Sequence, residues 1–272
     1  MASECRRTVR LRTSIQGRAR TLVAVSGLII CAASAPEGAE QSAAASAAAL
    51  LSAARVSLGG EAALAGVKTL AISGRQRDRN ELYGQAADAR EQFTSGDLEI
   101  RAMLPDHYVR TETTMASGRR FPSERQGFIG KASVDGRSAG SATFQRAEFA
   151  RLLLLLLLKT DTAVPMTIQG ASSQDSLEFA DGQGTHYRVD LDGTTHRPTR
   201  LRFTVRRIDS DGLPTGDAVG ELVKTVVGRR DVGGVSIPDH ITTTVAGELR
   251  QEEWYQSVQF NVPMTAQSFA KR

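Results

Sequence analysis

The sequence predicts a mainly β protein with few helices, an α+β fold built on one curved antiparallel sheet of about nine to eleven strands. Three observations predict it. From Val67 onward the chain is a succession of short runs in which apolar and polar residues alternate, broken by Gly, Asp and Asn. Two segments carry a helical pattern, one ahead of these runs and one among them. The second ends in seven consecutive leucines, Leu152 to Leu158, in a chain that is only 40% apolar.

Residues 1–35 read as a secretory signal peptide and residues 36–272 as one domain. Arg6, Arg7, Arg10, Arg12, Arg18 and Arg20 make the opening basic against the lone Glu4, and TLVAVSGLIICAASA follows as an apolar stretch closing in small residues. Cleavage is expected near Ala33 or Ala35, with an uncleaved anchor as the alternative, and the layout implies a periplasmic protein. Arg6-Arg7 match a twin-arginine signal only loosely, and the compact apolar core opposes mitochondrial import. The leader holds six of the 34 basic and one of the 30 acidic residues, so its removal turns the formal charge from +4 to −1. A body with no positive surplus has nothing with which to displace phosphate counterions, which argues against a nucleic-acid partner. Both cysteines, Cys5 and Cys31, fall in the leader, so the mature chain is expected to lack disulfides, thiolate chemistry and cysteine-held metal. Cys31 follows the bulky Ile30, which argues against lipid attachment there.

The Ala-rich segment that comes next favours a helix, which Gly59-Gly60 stop and which places Leu50, Leu51, Ala54 and Leu58 on one face. Strands follow. Leu70 and Ile72 share a face, as do Leu98, Ile100 and Ala102, and Pro105-Asp106 turn the chain into HYVRTETTM. Asp192-Gly193 read as a hairpin turn leading to Leu201, Phe203 and Val205 at period two, with Arg200, Arg202, Thr204 and Arg206 on the wet side. VGELVKTVVGRRDV and VSIPDHITTTVAGELRQEEWYQSVQFNV supply one and two strands more.

Seven leucines as a helix reach roughly 10 Å, against about 30 Å of hydrocarbon in a bilayer, so the run cannot span one. Leucine lacks the β-branch that suits strands and is a strong helix former. The pattern predicts a helix of about 16 residues, from an N-cap at Thr143 to a limit before Pro165. Its second half is apolar all round and must be enclosed or must cover something apolar. A large sheet with only two helices needs such a cover.

His107, His186, His196 and His240 are scattered, and His107 and His240 each follow an Asp near a Pro, which reads as turn chemistry. Asp209, Asp211 and Asp217 share a loop with Gly212, but the spacing does not fit a calcium loop. No nucleophile elbow, phosphate loop or dinucleotide fingerprint is present in the sequence. Neither a metal nor a cofactor is expected, and the protein is not expected to be an enzyme.

Three features carry a family resemblance: the turn Gly234-Val235-Ser236-Ile237-Pro238, the pair Trp254-Tyr255 on a strand, and the closing FNVP…SF that ends at Phe269. With the opening LGGEAALAGVKTLAISG, these segments resemble the LolA/LolB-like superfamily, periplasmic lipoprotein carriers and their relatives. The resemblance implies a strongly curved antiparallel half-barrel with a leading helix and a lid or plug helix in its concave face. It also implies a ligand, a lipid or a lipoprotein acyl chain, held in the hollow, with an envelope membrane protein as a further candidate partner and a monomeric state. The side chains expected to line that hollow are Leu70, Ile72, Leu98, Ile100, Leu152, Leu153, Leu155, Leu156, Leu201, Phe203, Val205, Trp254 and Val258. The arginine that holds the lid in the carriers has three alternative counterparts here, Arg75, Arg101 and Arg110. An envelope structural protein with a solid, plugged sheet is the competing expectation.

Overall fold

The computed structural model describes residues 37–79, 93–116, 119–134, 139–208 and 214–269. The expected leader, and Asp209, Asp211 and Gly212 of the acidic loop, lie outside the described residues.

Helix α1 (Glu37–Ser57) is the expected leading helix, and it buries Ala47 and Ala54, with Leu58 buried just past its end. It stops where Gly59 and Gly60 take positive φ of 127° and 90°, a region that costs glycine little. A single short turn of helix, α2 (Glu61–Gly66), follows. The strands before the leucine helix are β1 (Thr69–Arg79), β2 (Phe93–Met103), β3 (His107–Ala116), β4 (Arg119–Arg120), β5 (Glu124–Ile129) and β6 (Ala132–Ser133). Helix α3 (Ala139–Leu157) comes next. After it run β7 (Met166–Ser173), β8 (Ser176–Asp181), β9 (His186–Leu191), β10 (Pro198–Ile208), β11 (Pro214–Val232), β12 (Val235–Val245) and β13 (Glu248–Phe260). A 3-10 turn, Ala266–Phe269, buries Phe269 against His107.

The strands form one antiparallel sheet, ordered β6-β5-β3-β2-β1-β13-β12-β11-β10-β9-β8-β7, with β4 paired to β3. It does not close: β6 and β7 are its free edges. The described strands number 13, above the predicted count, because β4 and β6 are two residues each and too short to show a period. On the inner face Leu70, Ile72 and Gly74 align with Ala102, Ile100 and Leu98 of β2, and with Phe260, Val258 and Tyr255 of β13. Gly74 and Gly96 let the strands crowd there. A Cβ on Gly74 would sit 2.0 Å from the Trp254 carbonyl oxygen, and one on Gly96 1.7 Å from that of Thr113.

Two local expectations, Thr143 and His240, are corrected. Thr143 lies within α3 and is not its N-cap, because helix already runs through Ala139–Ala142, where Ala142 is buried. Asp192 and Gly193 open the loop of the expected hairpin, between β9 and β10. That loop is closed by Asp192 N–H to the Arg197 carbonyl, while the Asp192 carboxylate accepts the Thr194 and Thr195 amides. His240 sits inside β12, stacked on Trp254, and not in a turn.

A candidate ligand interior with an apolar and a polar half

Helix α3 is the chain's passage from the free edge β6 to the free edge β7, so it crosses the sheet's inner face as a strap between the two margins. Its leucine run is enclosed all round. Leu152 is 7% exposed and Leu153 through Leu158 are 0–2% exposed, all within the core that contains the inner face of the sheet. The run ends at Leu158, whose φ of 50° breaks the helix, with Leu158 N–H bonded to the Leu154 carbonyl and Lys159 N–H to that of Leu153. Arg55 of α1 donates to the Leu158 carbonyl at 2.9 Å, placing a cation at the negative end of α3.

Of the residues expected to line a hollow, Leu70, Ile72, Leu98, Ile100, Leu201, Phe203 and Val258 lie in one core with Leu152, Leu153, Leu155 and Leu156, and Val205 is half-buried against it. Trp254 is the exception and is corrected to the outer face. Glu253 and Tyr255 point inward, so Trp254 points out, and an extra residue at Gln256 then resets the alternation and returns Val258 to the inner row. On the outer face Trp254 stacks on His240, 5.1 Å between ring centroids, and borders a groove of about 810 Å³ with Arg75, Arg77, Asp97, Met115 and Arg120.

Of the three arginines, Arg75 and Arg101 belong to the outer face, whereas Arg110 points inward from β3. It is the hub of a polar half of the interior that lies beside the first turns of α3. Arg110 Nη2 donates to Gln76 Oε1 at 2.8 Å and lies 2.7 Å from Glu253 Oε1, while its Nε pairs with Glu112. Glu253 is 2% exposed, and its other oxygen accepts from Tyr255 Oη at 2.8 Å. Burial opposes the charge on Glu253, but Arg110 and Lys224 outweigh it and hold the carboxyl below its usual range. Burial likewise pulls against Glu148 of α3, yet Arg151 at 2.5 Å and Lys224 keep it ionised. Arg151 also covers the Phe203 ring at 4.3 Å and reaches Tyr187 Oη, which donates to Asp181 at 2.7 Å. Burial and the Asp181 hydrogen bond outweigh Arg151 and push the Tyr187 hydroxyl up to about 12. Gln145 of α3 donates to Gln126 of β5 at 2.8 Å.

Between these groups is a cavity of about 170 Å³ lined by Tyr108, Arg110, Glu112, Glu148, Leu152, Lys224 and Glu253, with Gln126, Gln145 and Gln251. Sequence reasoning missed this half. Its signal is the same alternation carried past the apolar residues: Gln76 continues the row of Ile72 and Gly74, and Glu112 that of Tyr108 and Arg110. Among the described residues no group of His, Cys, Asp and Glu is disposed to hold a metal ion, and no helix is long and apolar enough to cross a membrane.

An open, bent antiparallel sheet with a helix laid across its inner face is the architecture that the sequence resemblance implies. No family model matches the chain, and no curated protein matches it. Solved structures of similar shape include a putative outer-membrane lipoprotein-sorting protein domain from Vibrio parahaemolyticus, 10% identical with a TM-score of 0.44, covering 82% of this chain and 97% of that one. Another is a LolA superfamily protein from Nitrosomonas europaea, 10% identical with a TM-score of 0.42, covering 83% and 97%. A DUF1329 family protein from Desulfovibrio piger is 8% identical with a TM-score of 0.42, covering 82% and 96%. Function is therefore a matter for this chain's own residues.

Proposed function

We propose that this is a periplasmic, non-enzymatic binding protein that holds a hydrophobic ligand, a lipid or a lipoprotein acyl chain, against the inner face of the bent sheet. In this reading the leucine half of α3 occupies the hollow until a ligand takes its place. The observation that carries it is the enclosure of Leu152–Leu158 against Leu70, Ile72, Leu98, Ile100, Leu201, Phe203 and Val258. Such contacts are non-directional, and burying apolar area is worth about 25 cal/mol per Å² whichever molecule supplies it. Methylene groups of an acyl chain offset the loss of leucine side chains from the same strands, so exchange between helix and ligand is close to balanced. Val205 borders the same surface.

The test is mass spectrometry of organic extracts from mature protein purified without detergent. Acyl lipid near one equivalent per chain is the expected result, and protein that is empty from every preparation overturns the reading. The near-complete burial of Leu153–Leu158 favours one competitor, an envelope structural protein in which α3 is a permanent plug. Under it, added long-chain lipid leaves the protease sensitivity of α3 unchanged, whereas a displaced helix becomes cleavable.

A further inference from the structure

We infer that the polar cavity beside α3 seats the uncharged, carbonyl-bearing end of an amphiphile, an ester or amide group whose hydrocarbon tail lies in the leucine half. The inference rests on the reading of the hollow as a ligand site and narrows the ligand from any apolar molecule to an acyl ester or acyl amide.

The two halves of the interior are contiguous, since Leu152 lines the polar cavity and belongs to the apolar core. At about 170 Å³ the cavity has room for a head of a few heavy atoms, well short of a second acyl chain. Its cations are already answered: Arg110 and Lys224 of the lining, with Arg151 behind them, face Glu112, Glu148 and Glu253, and Asp78 adds a fourth carboxyl beside Gln251. A fatty-acid carboxylate or a phosphate brings an unmatched charge into this partly desolvated site, where isolated charge is costly. A carbonyl brings none.

The cavity also holds a donor in need of an acceptor. Arg110 is committed to Gln76, Glu112 and Glu253, and Arg151 to Glu148 and Tyr187. Lys224 is 13% exposed, and its ammonium lies 3.9 Å from Glu148 Oε2, beyond hydrogen-bond reach. Among the described residues it makes no hydrogen bond, and an ammonium has three donors to place. An ester or amide oxygen at the end of a tail running along Leu152 meets that ammonium without disturbing the ion pairs around it.

Competition binding to the mature protein tests this. Radiolabelled 1-monoacylglycerol is displaced, below micellar concentrations, by four compounds of equal chain length: unlabelled monoacylglycerol (the ester), an N-acyl methylamide (the amide), the free fatty acid and the 1-alkene. The ester or the amide, whichever is the natural head, is expected to bind at least tenfold more tightly than the acid or the alkene. Lys224→Met is expected to weaken that head by about five- to twentyfold and to leave the alkene unchanged, with Lys224→Arg recovering part of the loss. Circular dichroism checks that each variant is folded. Should Lys224→Met fail to fold, the ranking of the four compounds on the unaltered protein decides alone. Equal binding of all four, or preference for the acid, overturns the inference and leaves the hydrophobic hollow standing. Binding of none, with lipid-free native protein, overturns both.

Discussion

The two halves of the interior are held by opposite kinds of chemistry. At the leucine end, Leu152–Leu158 pack on strand residues of the same character, and nothing specifies which methyl meets which. At the other end each side chain has its own counterpart: Gln145 with Gln126, Arg151 with Glu148 and Tyr187, Arg110 with Glu112 and Glu253. The first half supplies adhesion without register and the second supplies register. A helix with both ends polar would be locked to the sheet, and one with both ends apolar would slide. Joined as they are, α3 has a fixed position and a replaceable surface.

The sharpest way to break this contrast is Leu154→Asp, which puts a charge at a fully buried site in the adhesive half. It is expected to cost at least about 4 kcal/mol of α3 docking. The expected outcome is a sheet that survives by far-UV circular dichroism, a helix cut by protease and loss of lipid. Cooperative unfolding of the whole protein marks α3 as a permanent plug instead.

Arg110→Met strikes the other half by removing the cation that pairs directly with Glu112 and Glu253, a loss of about 3–5 kcal/mol in urea unfolding at neutral pH. With Arg110 gone, burial opposes the charge on Glu253 against Lys224 alone. The penalty should therefore shrink as the pH falls below about 4, as that carboxyl takes up its proton. Asp78, on the inner row beyond Gln76, is pushed up to about 6 by burial first and then by Glu112. Its carboxyl favours the protonated form when folded, so the native protein loses stability as pH rises from about 4 to about 6. Asp78→Asn should gain about 1–2 kcal/mol above that window and nothing below it, by thermal melts across the range. Leu155→Met should do least, under about 1.5 kcal/mol, because the adhesive half asks only for apolar volume. A larger loss there shows that the leucines interlock after all.

The apolar half was legible because its residues announce their face. Leu70 with Ile72, Leu98 with Ile100, and Leu201 with Phe203 alternate against polar neighbours, and the sheet keeps that alternation. Trp254 was misplaced because a bulge at Gln256 changes which parity faces inward, and a bulge leaves no mark in a run of strand-forming residues. The polar chamber was hidden for another reason. A charged residue on a strand reads as a wet face, and Glu253, Arg110 and Glu112 become interior only when β13, β1, β2 and β3 wrap around α3. That enclosure is a property of the whole sheet; the alternation along each strand gives only the parity. The outer groove around Trp254 was illegible for the same reason, since its walls come from five strands.

The order of strands has one more effect. β1 and β13, the first and last of the described strands, are neighbours at the centre of the sheet, joined from Leu70–Phe260 to Asp78–Gln251. The midline is thus a seam stitched between residues far apart in the chain, while the outer borders are local hairpins. Clipping the C-terminal strand would not trim a margin; it would divide the molecule down its middle into two unsupported leaves, with α3 their sole remaining covalent bridge.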